Sequence, residues 1–479
     1  MTESVPGPFF TTATPTDHIQ DEQSPYTGYF ESLSENDIHL FFEIEATSEW
    51  IRNSNHQRIA LQFPDSLLPY SKRVTKLIES KIGDDENPEI VKKTFVLADT
   101  TYRSCCVDEV AAAHANCTAL VHFGEACHSA PTDKIDVKFV LGNLPTFIDE
   151  FRVKLKEIVN ELSTDHIVLL MDSCFAHEQE KVVAVIEEIV PPTKKVSCAS
   201  LPSEENLKEH RKNVYLGREI SAALRDNLPA DLIFCGFPNS PLLPIWLLSY
   251  PSCMTVTHYN PMDKSIQHEN TRSSRLLRKR LFLVEKLKDA DTVGLVVGSV
   301  GVDKHREAVK RMRELCKAAG KKIYVISVGK INVPKLSNFS TDIDVFVLLS
   351  CPFGVVLDSS DYFRPVVSFF EAEIALNPSK TWAADFGWSA EFAAFLEDKI
   401  ETEVPEVDVG DFSLISGKVR VVTKEDEKEG DGPRSIAIYN PGYCNDRTWK
   451  GLDDGITASE DSTTVTEGRS GIAQGYSGK

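Results

Sequence analysis

Residues 94–127 read TFVLADTTYRSCCVDEVAAAHANCTALVHFGEAC. Thr94 to Asp99 is a short apolar, β-branched run of strand length, and Ala119 to Gly124 is a second. Between them, Val107 to His114 is alanine-rich and reads as a helix. Strand, helix and strand in about thirty residues form a βαβ unit, whose two strands lie parallel in a sheet covered by helices. Cys105 and Cys106 stand at the entry to that helix, and Cys127 stands just past the second strand.

The same alternation extends in both directions. Upstream, Arg58 to Phe63 is a strand ended by Pro64 and Asp65. Downstream, His166 to Met171 precedes a helix near Glu178 to Glu188, and Asp231 to Phe234 follows. Further on come Val293 to Val297, a helix from about Lys304 to Ala319, Ile323 to Ile326, and Val345 to Leu349. Three βα units of similar size suggest an internal triplication. The expected class is therefore α/β, with each unit a small parallel sheet flanked by helices. The expected domains are 38–155, carrying Cys105, Cys106 and Cys127, then 156–285, then 286–400, carrying Cys351. A flexible lead-in over 1–37 and a mostly extended, acidic tail over 401–479 complete the chain.

A formal net charge of −20 argues against nucleic-acid backbones or anionic membranes as principal partners. The first residues carry neither a basic region nor an apolar core, so no secretory signal is expected. The most apolar stretch, Ser240 to Val256, is interrupted by Pro241, Pro244 and Pro251 and is too short to span a bilayer. The expected compartment is the cytoplasm, where the eleven cysteines remain reduced thiols.

In open α/β sheets, ligands collect beyond the carboxyl ends of the strands. Cys105 and Cys106, Cys127, and Cys351 all fall at such ends, and a thiolate at a helix entry gains from the peptide dipoles. Cys174, after Met171, is a weaker candidate of the same kind. Cys117, Cys198, Cys235, Cys253 and Cys316 sit in apolar or helical settings and read as core, while Cys444 lies in the tail. No Cys-x-x-Cys pair is present, which excludes a zinc ribbon and a thioredoxin-like pair. Phosphate-loop and dinucleotide-binding glycine patterns are missing as well. Any metal site must be assembled from cysteines distant in sequence. Of the histidines near these ends, His114, His122, His128 and His177 read as surface or capping residues before they read as ligands. The basic run Arg272, Arg275, Arg278, Lys279 and Arg280 reads as a solvated helix face.

Four segments carry a resemblance. The stretches Leu97 to Ala112 and Val121 to Cys127, together with Val328 to Val333 continuing through Asp344 to Pro352, resemble the diphthamide biosynthesis family, the 2-(3-amino-3-carboxypropyl)histidine synthases. The tail block Glu467 to Ala473 is similar to the second-subunit branch of that family. The resemblance implies three related α/β domains around a central cluster site. It implies the first step of diphthamide formation on a histidine of elongation factor 2. In that step a reduced four-iron–four-sulfur cluster cleaves S-adenosylmethionine, and the resulting 3-amino-3-carboxypropyl radical adds to the imidazole ring.

Carried onto this chain, the resemblance implies Cys106, Cys127 and Cys351 as cluster ligands. Cys105 is the alternative to Cys106, because neighbouring cysteines do not easily reach one cluster from the same helix entry. Three cysteines leave one iron open. The implied partners are a paralogous catalytic subunit in a heterodimer, a small iron protein as electron donor, and elongation factor 2 as substrate. S-adenosylmethionine would sit at the paralogue. The catalytic subunit takes a ligand from a Gly-Cys-Thr turn in its middle domain, which this chain lacks. That departure points to a subunit that relays electrons to its partner's cluster or supports it. Two other readings are a scaffold without a cluster of its own, and a structural zinc site completed by a histidine such as His128.

Overall fold

The computed structural model describes residues 34–82, 92–97, 103–129, 134–145, 147–203, 214–268, 270–378, 380–382 and 387–400, with short pieces at 411–413, 415–417 and 419–420. The described residues belong to one compact unit. Of the flexible lead-in expected over 1–37, residues 1–33 lie outside the described residues, as do most of the tail, Cys444 and the block Glu467 to Ala473. Its end is not flexible, because Ser34 caps a helix over Glu35–Phe41.

Three principal sheets are built in succession. The first contains β1 (Arg58–Gln62), β2 (Lys93–Leu97), β3 (Ala119–Phe123) and β4 (Asp136–Val140), in the order β2-β1-β3-β4, all parallel. The second contains β5 (His166–Met171) and β6 (Lys195–Cys198). A small antiparallel hairpin of β7 (Val214–Tyr215) and β8 (Arg218–Glu219) then intervenes. The second sheet is completed by β9 (Ala230–Cys235), β10 (Cys253–Asn260) and β11 (Ser265–His268), in the order β11-β10-β9-β5-β6. All its pairings are parallel except β10 with the edge strand β11. The third contains β12 (Thr292–Val297), β13 (Lys322–Ser327), β14 (Val345–Leu349) and β15 (Val366–Ser368), ordered β13-β12-β14-β15 and parallel throughout.

Numbered within each unit, all three sheets share one order. The second strand lies beside the first, and the third and fourth continue on the other side. This is the triplication that the repeated βα pattern suggested. It also gives each sheet the same topological switch, between its first and second crossovers, where crevices open at the carboxyl ends. The strand chemistry explains the layout. Every residue of the central strands β3 and β14 is buried, as helices on both faces require. The edge strands β2 and β13 alternate with exposed positions instead.

The sheets share their cores. Ile59, Leu61 and Val121 of the first sheet pack with Ile167, Leu169 and Ile233 of the second. The other face of the second sheet, including Leu170 and Phe234, joins Leu295, Val297 and Val347 of the third, and this core includes Cys105, Cys106, Cys127 and Cys351. The boundaries expected after 155 and 285 fall inside the helices Ile148–Ile158 and Asn270–Asp289. Periodicity locates strands better than it locates the connection belonging to neither sheet.

The basic run departs from its reading as a solvated face at Arg280, whereas Arg275 and Arg278 are exposed as that reading expects. Arg280 is wholly buried and its guanidinium grips both carboxylate oxygens of Glu371, also wholly buried. Trp388 Nε1 donates to the same carboxylate at 3.0 Å and the Ser368 amide at 2.7 Å. Two residues further on, Glu373 meets Arg311. The charge pattern on the basic helix did not reveal this, because the carboxylates come from 91 residues away. Among the described residues no helix is long and apolar enough to cross a membrane.

Candidate metal centre

The cysteines at the sheet ends come together. Cys105 Sγ lies 3.6 Å from Cys351 Sγ, and Cys106 Sγ lies 3.6 Å from Cys127 Sγ. All four sulfur atoms are within 4.8 Å of one another, and all four residues are buried. Among the described residues, no histidine or carboxylate joins the group. His128, the fourth ligand of the zinc reading, instead packs its ring edge-to-face with Phe139, the ring centroids 4.5 Å apart.

Local structure accounts for each position. After β2 the chain reaches a turn in which the Cys106 amide donates to Arg103 C=O at 3.0 Å. Asp108 then caps the helix Glu109–His114, its carboxylate accepting from the Ala111 amide at 2.8 Å. Gln62, at the end of β1, clamps this turn from both sides. Its Nε2 donates to Cys106 C=O at 2.7 Å, and its Oε1 accepts from the Asp108 amide at 3.0 Å. The two cysteine loops are also tied through the backbone, by Cys127 N–H to Cys105 C=O at 3.0 Å.

Cys127 follows β3 through Gly124, whose φ of +93° suits glycine, and precedes His128 at φ +51°. Cys351 follows β14 and opens a single 3₁₀ turn, with Gly354 N–H donating to Cys351 C=O at 2.8 Å. Cys127 and Cys351 therefore occupy equivalent places, each past the third strand of its sheet. In the second sheet the equivalent strand, β9, ends at Cys235, which packs in the core away from the group. Cys174 is likewise buried in that core, so the structure does not bring it to the other cysteines.

The second unit contributes support instead of a thiol. Its hairpin turn at Gly217, φ +67°, lies so close to Ala126 that a Cβ there would stand 2.8 Å from the Ala126 carbonyl oxygen. Next to it, buried Arg218 donates to Met171 C=O at 2.9 Å and to Ser173 Oγ at 2.8 Å. Ser173 in turn donates to Glu125 Oε1 at 2.6 Å, two residues before Cys127. His122 Nε2 lies 3.2 Å from Glu125 C=O, and burial holds its pKa below the usual histidine range. Neither Gln62 nor Arg218 was singled out by the sequence reading. A polar residue closing a strand whose middle, Ile59 to Leu61, is apolar was the available signal for Gln62.

Four buried thiols packed against one another do not ionise independently. Hydrogen bonds from Cys105, Cys106 and Cys351 hold the Cys127 pKa well below the ordinary thiol range, with Ser129 Oγ 3.0 Å away also assisting against burial. The Cys105 thiol is pushed well above that range by its hydrogen bonds with Cys106, Cys127 and Cys351, and by burial. Cys106 is also raised. Its bond with Cys105 lowers it, but those with Cys127 and Cys351 and burial outweigh that. Soft sulfur donors converging in a dry pocket fit a thiolate-bound metal, either zinc or an iron–sulfur cluster.

Several known proteins are similar to this chain in sequence or in fold. The profile of the diphthamide synthesis protein family matches residues 63–387. The 2-(3-amino-3-carboxypropyl)histidine synthase subunit 2 of Caenorhabditis elegans is 78% identical over all of both chains. The protein of the same name from Xenopus laevis is 33% identical, over 93% of this chain and 94% of that one. Among solved structures, Dph2 from Pyrococcus horikoshii is similar with a TM-score of 0.55 at 18% identity, covering 73% of this chain and 94% of that one. A second structure of that protein, with a 4Fe-4S cluster, matches with the same TM-score. At that identity the likeness speaks for the fold: parallel sheets flanked by helices.

Proposed function

This chain belongs to the diphthamide synthesis protein family, and from that membership we propose that it is the second subunit of a heterodimeric 3-amino-3-carboxypropyl transferase. The proposed reaction moves that group from S-adenosylmethionine to a histidine of elongation factor 2, the first step of diphthamide formation. In this reading Cys106, Cys127 and Cys351 hold a four-iron–four-sulfur cluster, with Cys105 as the alternative to Cys106. The subunit supports or reduces the catalytic cluster of a paralogous partner, and electrons enter from a small iron protein in the cytoplasm. The words "subunit 2" in the names of its relatives support a partner subunit.

One observation carries the reading. Thiols as far apart in sequence as Cys106 and Cys351 converge at one buried point among four sulfurs. When bound, such a cluster supplies one-electron chemistry. The chain's own contribution is positioning. Gln62 fixes the turn of Cys106, the Cys127 backbone ties its loop to Cys105, and the 3₁₀ turn aims Cys351. Burial of all four residues excludes water from the sulfurs.

A second reading rests on the spacing itself. Four thiolates around one tetrahedral zinc, at a Zn–S distance of about 2.3 Å, would lie about 3.8 Å apart. The observed 3.6 Å pairs approach that, and a cluster would need the sulfurs spread wider. The cluster reading is preferred because the cluster-bearing Dph2 shares this fold.

The test is transfer of labelled aminocarboxypropyl from S-adenosylmethionine to elongation factor 2 by this chain together with its paralogue. With Cys351→Ser, transfer falls at least about tenfold, the size of effect seen when a metal site loses its geometry. Full transfer by this chain without the paralogue, or undiminished transfer by the variant, would contradict the proposal.

A further inference from the structure

We infer that Cys105 is a fourth ligand of the same centre, so that the centre closes on this chain's own thiolates and offers no corner to an outside molecule. The inference rests on the iron–sulfur reading above and deepens it.

The sequence reading set Cys105 against Cys106 because neighbouring cysteines do not easily reach one cluster from the same helix entry. Here both precede the helix and sit in a turn. The Arg103–Cys106 turn, closed by Cys106 N–H to Arg103 C=O, bends the chain so that both side chains fall on one side. Cys105 is also held where it is by accepting the Cys127 amide on its carbonyl. Its sulfur is as intimate with the group as any other, at 3.6 Å from Cys351 Sγ. Two close pairs, Cys105 with Cys351 and Cys106 with Cys127, make a four-cornered arrangement with each cysteine in one pair.

A spare thiol would have an ordinary fate in a folded chain, that of a small hydrophobe in apolar packing. Cys316 shows that fate, wholly buried in the core of the third unit with no other cysteine near enough to join it. Cys105 does not follow it, since its nearest polar neighbours are sulfur atoms.

The functional consequence concerns the open iron. Three cysteines on a four-iron cluster leave one iron free to coordinate a substrate, and four leave none. With Cys105 in place, this chain holds iron through which electrons pass but at which S-adenosylmethionine does not bind. The division of labour between paralogous subunits would then be set by one residue at position 105.

The experiment uses the full-length chain, reconstituted anaerobically with iron and sulfide, and reads the cluster instead of the reaction. Ferricyanide takes one electron from the cluster. When one iron lacks a cysteine, that iron leaves as Fe²⁺ and a three-iron cluster with its own electron paramagnetic resonance signal remains. The wild-type chain is expected to resist this conversion, and Cys105→Ala to give a several-fold larger three-iron signal. Cys105→Ser, nearly the same size as cysteine, is read in the same way should the alanine variant not fold. Equal signals from wild type and variants, with the cluster present in all, would overturn the role of Cys105 and leave the cluster reading standing. A wild-type chain that binds no iron and shows no visible chromophore would instead remove the cluster reading itself.

Discussion

The third α/β unit buries two very different polar constellations. Around Glu371, every strong group has its complement inside the chain. Arg280 meets both carboxylate oxygens, Trp388 and the Ser368 amide supply further donors, and Arg280 also donates to Val356 C=O at 3.0 Å. Around Cys351, the partners are other thiols, which are weak donors and weak acceptors. A buried ion pair satisfied on all sides is explained by the fold. Four buried thiols that satisfy one another poorly are explained only by something they bind. Both sites sit close to β14 and β15 and are equally dry, so burial alone does not separate structure from function. The difference lies in whether the chain supplies the complement.

Substitutions should separate the two sites in opposite directions. The largest loss of stability is expected for Arg280→Met, which leaves the Glu371 carboxylate buried without its cation. Its cost is about 3–5 kcal/mol, read as a shift in the denaturant midpoint, with iron uptake per folded chain unchanged. Iron lost in proportion to Arg280 substitution would join the two sites and break the comparison. A smaller effect is expected for Gln62→Leu, which strands Cys106 C=O and the Asp108 amide. Its cost is about 1–3 kcal/mol, and here iron uptake should fall as well, because the turn presenting Cys105 and Cys106 loosens. A variant that lost stability and kept full iron would show that Gln62 serves the fold and not the thiols.

Much of this was legible in residues 94–127 and their repeats. The central strand β14 is an unbroken apolar run and β3 is one but for His122, so their existence and the parallel class could be read directly. Cysteines placed just past strands could be read as lying at the ligand-collecting ends of their sheets, and their convergence on one centre was what the resemblance implied. Four things could not be read. The common strand order of the three sheets depends on which strands pair across distances of tens of residues, and local pattern carries no register. The burial of Arg280 depends on a carboxylate from a distant helix, so its own neighbourhood suggested a solvated face. Cys105 and Cys106 looked like alternatives because the turn that brings both sulfurs inward leaves no period in the sequence. The hairpin β7–β8 has two residues per strand, too few for alternation to register.

The most direct test of the central claim is iron counting with visible absorbance on the anaerobically reconstituted chain, comparing wild type with the Cys106→Ala, Cys127→Ala, Cys351→Ala triple variant and with Cys316→Ala. The account predicts a chromophore and bound iron in wild type and in Cys316→Ala, and loss of both in the triple variant while its circular dichroism stays that of a folded chain. Iron and absorbance equal in wild type and the folded triple variant would contradict it, and the convergence of thiols from the first and third sheets would need another explanation.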